Sequence, residues 1–319
     1  MNTLLKASAL AIAAAFPQLA AAEVKIAMIM PGPITDADWN SVGYNGLKAA
    51  EAALGATIAY SENVTDADAE RVMRDYASQG YDLVFAHSFS YGDATLNVAE
   101  DFPKTVFMAG TAQESADNVG TYSNPDYQGA YVAGMLAAGT SKSGVIGWVG
   151  GMPAPNMLAN LNAYTAGAKE QNPDVKVLRT FIGSWFDPAK TIEAAIAQVE
   201  QGADVLSAQA VGVIDAAIAK NVWALGAMTD QNHLGTDVVL TSVLWDLGPL
   251  VTAVGKAVEE GTWVSEAYSF GIPEGSISLA DFHGLDKNVP EATLSAVNAK
   301  FDAIASGEFV VPLDTSDAQ

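Results

Sequence analysis

The chain has 319 residues, with 37 acidic against 15 basic side chains and no cysteine. A formal charge of −22 repels nucleic acid and anionic lipid headgroups, which excludes DNA or RNA binding. Without thiols neither disulfides nor thiolate metal sites can form. Half the residues are apolar, enough for a well-filled core, and the length fits about two domains.

Residues 1–22 read as a secretory signal: one positive charge at Lys6, an apolar run over 7–16, and Ala20-Ala21-Ala22 before Glu23. No cysteine stands at the cleavage site, so a lipoprotein anchor is excluded. The mature chain is expected to be exported and soluble.

From there strand and helix patterns alternate. The first strand-like run, 24–30, leads into Pro31-Gly-Pro-Ile-Thr-Asp-Ala-Asp-Trp-Asn40 and then a helix over 41–54. Strand 57–60, helix 67–79 and strand 81–86 follow, with a loop over 87–93, a helix to 100 and a strand over 105–109. Continuous apolar strands separated by helices imply a parallel sheet covered on both faces.

Residues 118–125 break this pattern and read as a crossing to a second lobe. The small-residue helix 127–140 suits close packing at an interdomain seam. A second series then begins: strand 145–149, loop 150–156, helix 157–171, strand 175–182, loop 183–188 and helix 189–200. Strand 204–207, a helix to 220 and strand 223–226 complete it. Residues 238–244 read as the segment returning to the first lobe, and the tail yields one clear helix, 290–304. The expected architecture is α/β with two Rossmann-like lobes and a ligand between the carboxyl ends of their sheets. Lobe 1 comprises 23–122 plus about 245–270; lobe 2 comprises 123–244 plus about 271–319.

The loops at those ends supply the candidate ligand contacts: Asp36, Asp38, Trp39 and Asn40, then Ser88, Phe89 and Tyr91, then Trp185 and Asp187, and finally Met228, Asp230 and Trp245. Trp39 and Trp185 each follow a strand and stand beside a carboxylate. Two indoles facing across a cleft would hold a flat or cationic ligand, because π-faces accept both. The same carboxylates could instead cap the next helix, and both indoles could plug gaps under their loops.

No P-loop, dinucleotide fingerprint or Gly-x-Ser-x-Gly elbow occurs. The three histidines (His87, His233 and His283) form no metal-binding pattern, and His87 suits a hydrogen-bonded structural role. No reaction, metal or cofactor is expected.

These motifs resemble those of the basic membrane protein family, substrate-binding components of ABC importers with a type I periplasmic binding protein architecture. The resemblance rests on Asp36-Ala-Asp-Trp-Asn40, Gly43-x-x-Gly46, Phe102-Pro103, Tyr131-Val-Ala-Gly-Met-Leu-Ala-Ala138 and Gly147-Trp-Val-Gly-Gly151-Met-Pro153. Asn172-Pro-Asp174, Ser184-Trp-Phe-Asp-Pro188 and Ile304-x-x-Gly-Glu308 extend it to nearly the whole mature chain.

It implies a monomeric receptor that hands a purine nucleoside or base to an inner-membrane ABC permease. Trp39 and Trp185 would stack on the base, and Asp36 and Asn40 would lie in the loop holding its polar edge. Two departures matter. Where the family's nucleoside binders carry an acid for the ribose hydroxyls, this chain has Met228; where they carry a lysine, it has Trp245. The expected ligand is therefore a free base rather than a nucleoside, since a site that loses its hydroxyl partners reverses its preference. Another flat heterocycle, an organic cation, or a sensor subunit engaging a membrane receptor are the rival expectations.

Overall fold

A computed structural model describes residues 23–36 and 38–317, so the expected export signal lies outside the described residues. The first series runs β1 (Lys25–Ile29), α1 (Trp39–Leu54), β2 (Thr57–Ser61), α2 (Asp66–Ser78), β3 (Leu83–Ala86), α3 (Gly92–Asp101), β4 (Val106–Gly110) and β5 (Val119–Ser123). The second runs α4 (Tyr127–Thr140), β6 (Val145–Gly150), α5 (Pro155–Gln171), β7 (Lys176–Phe181), α6 (Pro188–Glu200), β8 (Val205–Gln209), α7 (Val213–Lys220), β9 (Trp223–Met228) and β10 (Val239–Trp245). The chain then adds α8 (Gly248–Glu259), β11 (Ala267–Ser269), β12 (Ile277–Leu279) and α9 (Glu291–Ala305).

The strands form two six-stranded sheets, ordered β11-β5-β4-β3-β1-β2 and β12-β10-β9-β8-β6-β7. Every pairing is parallel except β10 with β12. In each sheet the order reverses beside its first strand, between β1 and β3 and between β6 and β8. The carboxyl ends at such reversals are where open α/β sheets place ligands.

Strand alternation divides each core between two faces. On one face of the first sheet Met28, Phe85 and Met108 pack with Leu47, Leu250 and Val254 from α1 and α8. On the other, Ile29, Val84 and Phe107 pack with Met73 and Val98 from α2 and α3. In the second sheet Ile146 and Trp148 face α4, α5 and α9, while Val149 and Leu206 face α6 and α7.

The structure corrects three expectations. Residues 119–123, read as part of a crossing, form a strand between β4 and β11, and the crossing itself is 124–126. Its Val-Gly-Thr-Tyr-Ser sequence mixes small and large residues because the Tyr122 ring lies over Gly110, where an added Cβ would meet its hydroxyl at 3.0 Å. Residues 238–244 do not return to the first lobe: 239–244 belong to β10, hydrogen-bonded to β9, and the chain next packs on the first sheet through α8. Finally, α4 packs on α5 within the second lobe rather than along an interdomain seam. Gly134 and Gly167 face each other's helix so closely that a Cβ on either would lie 2.0 Å from a backbone oxygen, of Tyr164 or Tyr131.

Candidate functional site

The loop after β1 is organised by Asp36. Its carboxylate accepts from the backbone N–H of Asp38 (2.9 Å), Asn40 (2.9 Å) and Ser41 (3.0 Å), and from the Asn40 amide (2.6 Å). These are orphan donors of the α1 N-terminus, so Asp36 acts as the cap and α1 begins at Trp39, two residues earlier than the periodicity implies. Burial works to raise the Asp36 pKa, but the bonds from Asp38, Asn40 and Ser41 outweigh it and hold the carboxyl below its usual range. Asn40 is buried, and its carbonyl oxygen accepts from Gly32 N–H. Both side chains expected to hold a ligand's edge are thus already employed in shaping the loop.

Trp39 is fixed by His87 at the end of β3. The two rings stack at 4.2 Å and 9°, and the residues exchange two hydrogen bonds. Trp39 Nε1 donates to the His87 carbonyl (2.9 Å), and His87 Nε2 donates to the Trp39 carbonyl (2.9 Å). A carbonyl can only accept, so Nε2 carries the proton and Nδ1 accepts from the Tyr122 hydroxyl at 2.6 Å. Burial lowers the His87 pKa to about 4, outweighing the Trp39 carbonyl and the Asp36 charge, and keeps the ring neutral. Gly43 makes room for it: a Cβ there would approach the imidazole to 2.7 Å. The sequence marked His87 as structural; its partnership with Trp39 has no local signature, since the two are 48 positions apart.

Trp245 meets this pair from the second sheet. Its ring stands at 82° to the Trp39 indole with centroids 6.4 Å apart, and it packs against the cores of both lobes. The carboxyl ends of β1 and β10 therefore face each other here. Met228 ends the adjacent strand, β9, where register pairs it with Leu244, the residue before Trp245. Met228 has φ +67°, a left-handed conformation that costs energy for a residue other than glycine and concentrates at functional sites.

The remaining candidates divide by exposure and by existing bonds. Phe89 and Trp185 are 68 % and 62 % exposed. Trp185 leans over Gly151, where a Cβ would lie 3.0 Å from its ring. Tyr91 is fully buried with its hydroxyl donating to the Val64 carbonyl, so it is a core residue and no ligand contact. Ser88 caps the short turn after β3 by accepting from Ser90 N–H. Asp187 caps α6, accepting from Lys190 N–H. Asp230 accepts from Asn232 N–H and pairs with His283 at 2.7 Å.

Among the described residues, the buried side-chain atoms near these loops without a hydrogen-bond partner are Asp38 Oδ1 and both amide atoms of Asn124. Burial first, and then the neighbouring Asp36 charge, raise the Asp38 pKa against a hydrogen bond from the Trp39 backbone N–H. Sequence reasoning missed Asn124, which sits in the first crossing.

The chain matches the family profile described as ABC transporter substrate-binding protein PnrA-like over residues 23–315. It is 34 % identical over 303 residues to a purine-binding protein of Brucella abortus, covering 92 % of this chain and 85 % of that one. It is 30 % identical over 254 residues to a putative ABC transporter glucose-binding protein of Haloferax volcanii, covering 79 % of this chain and 64 % of that one. In structure it resembles the solute-binding protein of an ABC transporter system from Conexibacter woesei, with a TM-score of 0.78, 27 % identity, and coverage of 91 % of this chain and 98 % of that one. With its two-lobed, type I periplasmic-binding-protein-like fold, the chain belongs to the PnrA-like family of ABC transporter substrate-binding proteins.

Proposed function

We propose that this chain captures a purine-like free base outside the inner membrane and delivers it to an ABC permease. The observation that carries the reading is the His87–Trp39–Trp245 ring assembly, which joins the carboxyl ends of the two sheets in one aromatic corner. A flat ring placed against the indole gains about 0.5–1.5 kcal/mol per aromatic pair beyond area burial. Trp185, exposed on the other lobe, is the surface that would close over it. We take the lobes as 23–122 with 245–270 and 123–244 with 271–319, and residues 1–22 as the export signal.

Preference for a base over a nucleoside is supported by the neighbouring strand ends of β9 and β10. Met228 ends β9 and Trp245 ends the adjacent β10, at the positions where the family resemblance places an acid and a lysine. Replacing both together leaves no unpaired charge and turns a polar subsite into an apolar one. The same argument weighs against a sugar such as glucose, the ligand named for the Haloferax relative. An organic cation is disfavoured because two of the three carboxylates that would cage it, Asp36 and Asp187, already accept hydrogen bonds from their own chain, which leaves Asp38 alone.

The test is calorimetric titration of the mature protein with adenine, hypoxanthine, their nucleosides, glucose and a quaternary amine. The reading expects saturable binding of at least one free base, with its nucleoside at least tenfold weaker. Tighter nucleoside binding would overturn the preference, and binding of glucose or the amine alone would overturn the purine assignment.

A further inference from the structure

A ligand's polar edge needs partners that the protein has not already used. Asp36, Asn40, Asp187 and Asp230 are engaged with their own loops. Among the described residues, the buried side-chain atoms without a partner are Asp38 Oδ1, both amide atoms of Asn124, Gln198 Oε1, Trp263 Nε1 and Ser276 Oγ. Such groups are rare in folded proteins, and each calls for an explanation.

Three of those six atoms lie at the carboxyl edge of the first sheet. Asp38 immediately precedes Trp39. Asn124 immediately follows β5, two residues beyond Tyr122, whose hydroxyl reaches the imidazole under the Trp39 indole. The stack thus has an unpaired carboxylate oxygen on the residue before Trp39, and an unpaired amide just past the strand whose Tyr122 hydroxyl bonds His87.

We propose that Asp38 and Asn124 read the polar edge of the ligand stacked on Trp39. Asp38 accepts from a ring N–H or exocyclic amine, and the Asn124 amide supplies one donor and one acceptor. The class this fits is a flat nitrogen heterocycle with an N–H donor and an adjacent donor–acceptor edge, such as an aminopurine. The proposal rests on the purine reading above and narrows it to these two residues.

Asn124, unpaired at both amide atoms, gives the unliganded fold no side-chain hydrogen bond, so removing its amide leaves that fold intact while ligand binding suffers; the unpaired Asp38 Oδ1 is expected to behave alike. Adenine is titrated into the wild-type protein and into Asp38→Ala and Asn124→Ala, and thermal midpoints are recorded without ligand. Each substitution is expected to weaken adenine at least tenfold while the unliganded midpoint stays level or rises. Asn124→Leu, which replaces the amide by an apolar group of similar shape, gives the same pair of outcomes independently of how the α1 start tolerates Asp38→Ala.

Affinity within threefold of wild type in the Asn124 variants overturns the proposal. So does an unliganded midpoint that falls together with affinity, which marks a structural role. If the wild-type protein binds no purine base, the purine reading fails and the proposal with it; if it binds adenine and the variants bind equally, only the proposal fails.

Discussion

The stack between Trp39 and His87 can be isolated energetically because of how its hydrogen bonds are routed. Trp39 Nε1 donates to the main-chain carbonyl of His87, and His87 Nε2 donates to the main-chain carbonyl of Trp39. Each acceptor therefore survives when its own side chain is cut to alanine. In a Trp39→Ala and His87→Ala double-mutant cycle the one shared contribution is the face-to-face contact at 4.2 Å and 9°. That contact is expected to couple by about 0.5–1.5 kcal/mol. His87→Ala alone should cost about 3–5 kcal/mol, because it empties a fully buried ring site and strands the Tyr122 hydroxyl. Unfolding by urea, followed by far-ultraviolet circular dichroism without ligand, measures all four corners without depending on the fluorescence of the tryptophan being removed. A coupling below about 0.3 kcal/mol, the scale at which distant sites simply add, would refute the stacked arrangement.

Asp36→Ala should destabilise the protein by about 0.5–2 kcal/mol through loss of the α1 cap. The folded Asp36 pKa lies below its ordinary value, so its contribution holds above pH 3.8 and is lost as pH falls through the folded value; chemical unfolding from about pH 5 downward should show the variant's deficit shrinking. Asp126 and His87 act in opposite directions over a higher window. Burial pushes Asp126 up to about 6, against its bonds to Asn160 and backbone, so its contribution is present below 3.8 and lost as pH rises through about 6. His87, depressed by burial to about 4, contributes above 6.5 and loses that contribution as pH falls through about 4. Asp126→Asn should therefore gain roughly 2–3 kcal/mol relative to wild type between about pH 4 and about pH 7, because each pH unit separating the folded from the unfolded pKa is worth about 1.4 kcal/mol. Chemical unfolding at the two pH values measures this, and a constant difference would contradict the buried placement of Asp126. Met228→Asp with Trp245→Lys should raise nucleoside affinity at least tenfold relative to the matching base in calorimetric titration. Neither single change should do so, because each restores only one of the two charged contacts and leaves the other position apolar.

Much of the fold was legible because it follows from local periodicity. Continuous apolar strands such as 83–86 and 145–149, set between helical patterns, specify parallel sheets buried on both faces, and their repetition implies two lobes. The loops at the carboxyl ends could be named for the same reason, and Trp39 and Trp185 stood out within them. What local pattern could not carry was partnership. Whether Asp36 faced a ligand or capped α1 depended on where the next helix began, and Tyr91 was enclosed by Val64 from another segment. β5 escaped notice because its alternation answers the space over Gly110 in the neighbouring strand. The contacts of Trp39 with His87 and Trp245, and the unpaired states of Asp38 and Asn124, arise among segments brought together only on folding. Sequence by itself determined which residue types gather at the sheet ends, because spacing is a local property; tertiary structure decided which of their polar atoms remain unused, because a hydrogen bond is settled by three-dimensional proximity.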